Sequence, residues 1–140
     1  IKAYEESLAF YTKVLERNLT FYTENKEDLY AQNTVFEAYI NFFKIYIQQK
    51  SKRKATETLK ALQNFIERRS PLNDFEQEIY LSYLIEYYFL LEDLEQIKKY
   101  SKELYELKSK ILTLGVQAID EIATSFELKE KNKEISSLHE

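Results

Sequence analysis

The chain has no cysteine, no methionine and no tryptophan, and its 140 residues hold one glycine, one proline and one histidine. Without cysteine there are no disulfides, thiolate metal sites or cysteine nucleophiles, a composition that suits a reducing cytoplasm. A lone Gly115 excludes a glycine-rich phosphate loop, and with Pro71 it leaves few places to stop a helix. The one histidine, His139, stands next to the end of the chain. No Ser-His-Asp arrangement or histidine metal cluster can be assembled around it inside the fold, and solvated helix surface is its expected place. With no methionine at its start, the chain reads as a piece of a longer protein, and any catalytic function of the parent is expected outside it. The opening IKAYEESLAF carries no basic-then-apolar targeting pattern.

Charge of one sign is also lacking. Twenty basic and 24 acidic residues are interspersed for a net charge of -4, so there is no basic field to neutralise phosphates and no nucleic-acid partner is expected. The longest nearly apolar run, Ile79 to Leu91, contains Glu86 and falls short of the roughly 20 residues that a spanning helix needs. No membrane partner is expected either. Adjacent carboxylates such as Glu5-Glu6, Glu27-Asp28 and Asp120-Glu121 point roughly 100° apart on a helix and make poor acid/base pairs. No catalytic residue, metal site or cofactor is assigned.

What is present is apolar and aromatic: 44% hydrophobic residues, with twelve tyrosines and nine phenylalanines, too much for a disordered segment. A domain of this length buries roughly 70% of its unfolded surface. Apolar residues recur at helical spacing through Tyr4, Leu8, Tyr11, Leu15 and Leu19, then Leu29, Phe36, Ile40, Phe43 and Ile47, then Ala55, Leu59, Leu62 and Phe65. Asn25 is the expected N-cap of a second helix starting near Lys26, and Ser51 that of a third. Pro71 marks the next boundary, with Asn73 and Glu76 at capping-box spacing. A fourth helix runs through Ile79, Tyr83, Leu84, Tyr87, Tyr88 and Leu91. Asp93 and Gln96 offer a second capping box, opening a fifth helix through Leu94, Ile97, Leu104 and Leu107.

Two polar stripes interrupt helices that are otherwise greasy all round: Glu37, Asn41, Lys44 and Gln48, and Glu78, Ser82 and Glu86. Their three-to-four spacing excludes strand alternation. Helices two and four, apolar around most of their circumference, are expected to be the inner ones. An unpaired buried Lys or Glu costs several kcal/mol or so, so the stripes either line a wet groove or form an internal Lys44 to glutamate pair. KSKRK (Lys50 to Lys54) and Arg68-Arg69 read as solvated helix ends or as an anion site. Phe42-Phe43-Tyr46 and Tyr80-Tyr83-Tyr87-Tyr88-Phe89 read as core or as a stacking surface for a ligand.

The segment LSYLIEYYFLLEDLEQIKKYSKELYELK resembles a tetratricopeptide-type repeat. Leu84 and Tyr88 fall on the first-helix Leu and Tyr, followed by Asp93, Leu94, Ile97, Tyr100 and Leu104. A looser copy carries Phe42, Tyr46, Ala55, Leu59 and Leu62, and LGVQA places Leu114, Gly115 and Ala118 on the same pattern. The copies are 42 residues apart by Tyr46 and Tyr88, against about 34 in the family; Ile97 stands at the usual small residue and Glu92 at the turn glycine. The terminal FELKEKNKEISSLHE is similar to the charged connector helix between tetratricopeptide-like sensory regions and histidine kinase or GGDEF-type diguanylate cyclase domains.

These resemblances imply an all-α fold of about six helices, antiparallel hairpins stacked as a tetratricopeptide-like right-handed solenoid over 1–125, with a connector helix over 126–140. A break near Ser109 follows from ordinary helix length and from the resemblance. They also imply a concave groove lined by Glu37, Asn41, Lys44, Gln48, Ser82, Glu86 and Phe89 for a peptide, protein or small ligand, in a bacterial cytoplasmic signalling protein. The alternative is the peptide-pheromone-binding region of a helical-repeat transcription regulator. The full-length protein is expected to pair as a homodimer through the C-terminal helix. Here Leu128, Ile135 and Leu138 alone are too short a seam to pair strongly.

Overall fold

The structure is a computed structural model describing residues 2–139. The side chain of His139, expected on solvated surface, lies outside the described residues. The described chain is all-helical, without strands: α1 (Lys2–Glu24), α2 (Leu29–Gln48), α3 (Lys52–Arg68), α4 (Asp74–Leu90) and α5 (Leu94–His139). It forms two compact units, Ile1–Leu104 and Tyr105–Glu140.

In the first unit α2 is the central element, packed against α1, α3 and α4. Half of its 20 residues are buried, including Val35, Phe36, Ile40, Phe43 and Ile47, as a helix apolar around most of its girth requires. Leu29, at its first position, is 61% exposed despite falling on the apolar stripe. From α1, Leu15, Leu19 and Tyr22 pack on a cluster of Val35, Phe36, Ile40, Leu62 and Phe65. A second cluster joins Phe43 and Ile47 to Ala55 and Leu59 of α3 and to Leu84 and Tyr87 of α4. The Tyr87 ring lies 5.4 Å from Phe43, and its hydroxyl shares a 2.6 Å hydrogen bond with Thr56, so a buried phenol is satisfied across the helix interface. Tyr88 and Tyr100 stack at 5.5 Å with an 8° interplanar angle, joining α4 to α5.

α4 is less enclosed than its composition predicts. Its buried residues are Glu76, Leu84 and Tyr87, whereas Phe75 and Phe89 are 69% and 62% exposed, because its neighbours cover only part of its circumference.

Two helix ends share one geometry. Lys50 (φ 58) and Glu92 (φ 57) hold the left-handed conformation. At the first, Ser51 N–H donates to Tyr46 O and Lys50 N–H to Ile47 O; at the second, Asp93 N–H donates to Tyr88 O and Glu92 N–H to Phe89 O. Each is a Schellman turn, which normally carries glycine at that position. The turns are 42 residues apart, the offset of Tyr46 and Tyr88, so the α2–α3 and α4–α5 connections share one turn geometry.

Other caps depart from the expected ones. Asp28, not Asn25, caps α2, its carboxylate accepting from Tyr30 and Ala31 N–H. The Asn25 amide donates to Phe21 O and so closes α1 instead. Ser51 stands at the N-cap of α3 without a side-chain cap bond. The Asn73-Glu76 capping box is complete, and Asp93 Oδ1 accepts from Gln96 N–H at 3.3 Å.

The break near Ser109 is absent: α5 is one helix of 46 residues, giving five helices and not six among the described residues. Nothing in ELYELKSKILTLGVQAID breaks a helix, since proline is missing and a single interior glycine costs only about 1 kcal/mol. From Lys110 to Leu138 every residue of α5 is exposed.

Candidate functional site

The stripe on α2 is a surface feature. Glu37 and Gln48 are exposed, and Asn41 and Lys44 are half-buried. On α4, Ser82 is half-buried with its hydroxyl turned onto Glu78 O at 2.8 Å, while Glu86 and Phe89 are exposed. α2 and α4 are neighbours through Phe43 and Tyr87, so both stripes belong to adjacent helices. Neither Glu37 nor Glu86 is buried, so neither supplies a buried partner for Lys44.

Other faces of the first unit carry concave surface. A groove of 590 Å³ runs between α1 and α3, floored by Leu19, Tyr22, Tyr39, Ala61 and Phe65 and rimmed by Thr23, Lys26, Asn64 and Arg68. A shallower depression of 260 Å³ shares Tyr39 and Ala61 with it and reaches Leu15, Phe42 and Tyr46. Tyr39 is five residues from Lys44, which at 100° per residue puts it about 140° around α2. The groove therefore occupies the side of α2 away from the polar stripe. Phe65 is the centre of its floor, edge-on to Tyr22 at 5.2 Å and tilted against Tyr39 at 5.9 Å. Burial raises the Tyr39 hydroxyl above its ordinary pKa, opposed by the positive charge of Arg68, so at neutral pH it is a protonated donor.

Beneath the cationic end lies a buried polar network that joins three chain segments. Gln32, 4% exposed, donates from Nε2 to Lys26 O at 2.7 Å, and its Oε1 accepts from the Ser70 hydroxyl. Arg69 donates Nε to Ser70 O at 2.9 Å and its two terminal nitrogens to Glu76 at 2.9 and 3.1 Å. The Arg69 and Glu76 side chains are only 2% and 8% exposed, and the guanidinium also lies 5.8 Å from the Phe36 ring centre. Glu76 Oε1 accepts in addition from Asn73 N–H, so one carboxylate completes both an ion pair and a helix cap. The Arg68-Arg69 pair thus divides. Arg68 is solvated as expected, whereas Arg69 is buried, because a bidentate carboxylate and a carbonyl replace its water.

The groove was not legible in the sequence. Phe65 falls on the apolar stripe of the third helix, Tyr22 and Tyr39 fall on none of the stripes, and Lys26 and Arg68 sit at separate breaks 42 positions apart. The available signal was that both breaks place a cation beside an aromatic stripe. Among the described residues no group of three or more His, Asp or Glu is placed to hold a metal, and no helix is long and apolar enough to cross a membrane. No family model, curated protein or solved structure matches the chain.

Proposed function

We propose that this chain is a non-catalytic sensory or interaction module with tetratricopeptide-like hairpins, whose body takes a ligand and whose α5 relays the bound state to an output domain. The 42-residue recurrence of the two Schellman turns supports the repeat reading. A cytoplasmic bacterial setting and an output of the diguanylate cyclase or histidine kinase kind rest on the resemblance of the sequence.

The observation that carries the relay is the long exposed apolar face of α5. Ile111, Leu114, Ala118 and Ile122 recur at spacings of three and four, flanked by Leu112, Ile119 and Phe126. Ile119, Ile122 and Phe126 are 66%, 70% and 64% exposed. Such a surface on a charged helix is a pairing seam rather than a solvated face. With roughly 50–100 Å² of apolar surface open on each, the six large side chains named from Ile111 to Phe126 offer ~300–600 Å² per copy. Leu128, Ile135 and Leu138 lie on another side of the helix, Leu128 about 180° from Ile119 at 100° per residue, so the seam stands on Ile111 to Phe126 alone, short of the ~800 Å² per partner of a standard interface. Without a break at Ser109 the exposed apolar face runs uninterrupted from Ile111 to Phe126, a seam apart from Leu128, Ile135 and Leu138, and the chain itself should self-associate as a weak homodimer.

Sedimentation velocity at micromolar concentration tests this. The chain should sediment as a dimer and Ile119→Lys/Ile122→Lys as a folded monomer. A monomeric parent would remove the support for the relay.

A further inference from the structure

We propose that the groove between α1 and α3 binds a free carboxylate carried on an aromatic or branched apolar body. This deepens the ligand-binding part of the proposed function and names the ligand's chemistry at a face distinct from the Glu37 to Gln48 stripe.

Charge complementarity is the first argument. In a chain of net charge -4, the lining of the 590 Å³ groove includes two cations, Lys26 and Arg68, and no carboxylate. Both sit at one end, where α1 gives way to α2 and where α3 terminates. An anion bridging them would neutralise two positive charges that share a concave, ring-walled surface, where field lines are focused. Tyr39 adds a hydroxyl donor beside Arg68, and Asn64 and Thr23 add short polar groups. With the Thr23 hydroxyl already donating to Leu19 O, the donors left at that end are the two cations, the Tyr39 hydroxyl and the Asn64 amide, and the positive charge favours a carboxylate over an ammonium.

The second argument is pre-organisation. Lys26 lies in a turn whose carbonyl is held by the buried Gln32 amide. Arg68 directly precedes Arg69, which is fixed by Glu76 and Ser70. The Ser70 hydroxyl closes the loop on the same Gln32. The backbones bearing the two cations are thus tied to one buried network, so less ordering remains to be done when an anion arrives. The rest of the groove is a floor of rings and aliphatic carbons, which rewards an apolar body behind the charge. Its volume lies inside the roughly 300–1,000 Å³ of small-ligand sites.

The test compares two probes of one shape, N-acetylphenylalanine and N-acetylphenylalaninamide, titrated into the isotope-labelled chain and followed by amide chemical shifts. The free acid should bind at least tenfold more tightly than the amide, with shifts concentrated around Lys26, Tyr39 and Arg68. Lys26→Gln/Arg68→Gln should erase that preference while leaving helicity and the unfolding midpoint unchanged, since both side chains are exposed. The longer acid N-acetyl-Leu-Leu-Phe separates the sources: tighter binding than the single residue marks a peptide C-terminus, and equal binding marks a small free acid. Equal affinity of acid and amide, a preference that survives the double substitution, or no saturation below about 10 mM by either would each overturn the proposal. Self-association through α5 is read by sedimentation, so its failure is distinct from failure of this site.

Discussion

Replacing Arg69 with methionine should be among the most damaging single substitutions in the chain. The guanidinium makes a bidentate contact with Glu76 at 2.9 and 3.1 Å, and the two side chains are 2% and 8% exposed. Arg69→Met leaves the Glu76 carboxylate buried without its counter-charge, a loss of about 3–5 kcal/mol. That is a large fraction of the ~5–15 kcal/mol that holds a domain together. Glu76→Gln removes the complementary charge while its amide oxygen can still accept from Asn73 N–H, so the helix cap survives and the buried cation is the main injury. The pair of substitutions together leaves no uncompensated charge and should recover about 2–3 kcal/mol relative to the sum of the singles. Urea unfolding followed by far-ultraviolet circular dichroism measures all four forms, with unchanged m-values showing that the comparison is of stability. Because the pair is buried, the losses should persist in 1 M NaCl, where a surface ion pair is screened away. Single substitutions that each cost less than about 1 kcal/mol, or an additive double, would refute the account of the network as a clamp.

Lys50→Gly and Glu92→Gly should each raise stability by about 0.5–1 kcal/mol, since glycine relieves a left-handed backbone cost of roughly 1–2 kcal/mol but gives part of it back as unfolded-chain entropy; unchanged urea midpoints would contradict the strain. Lys44→Ala and Glu86→Ala should stay within about 1 kcal/mol of the parent in the same assay, as expected of surface positions, and should weaken a partner only if it occupies the α2–α4 face. Tyr39, Tyr80 and Tyr88 have hydroxyl pKa values raised chiefly by burial. Their contribution to stability is therefore complete below the ordinary value of 10.0 and is lost as pH rises from there through the raised folded values. Thermal midpoints should thus fall above about pH 10 together with late tyrosinate absorbance, and phenols that all ionise at the ordinary pH would oppose this.

What was legible in the sequence was local. The apolar stripes of α1 and α3, and the Asn73-Glu76 box, depend on spacings of three and four residues and were found where expected. Caps failed where several polar residues compete. In TENKEDL the Asn25 amide reaches back four residues and Asp28 reaches forward, and both fit the same short polar stretch. The burial of Arg69 was not legible because it depends on Asn33, 36 residues away in sequence, whose Oδ1 accepts from the guanidinium at 3.5 Å, and on a carboxylate already assigned to a cap. The break near Ser109 rested on ordinary helix length and on the tetratricopeptide resemblance, whereas no residue there ends a helix. The groove at Tyr39 arises from how α1 and α3 flank α2, which no single stripe records.

The stacked Tyr88 and Tyr100 rings have a practical consequence. Because the chain lacks tryptophan, its near-ultraviolet absorption and emission come from phenol and phenyl rings alone, with no indole to mask them. Two phenols held nearly parallel at 5.5 Å are coupled chromophores, and the coupling vanishes once the rings separate. Since one ring belongs to α4 and the other to α5, the protein carries its own optical gauge of whether its last hairpin is open or closed, and Tyr100→Phe supplies the blank.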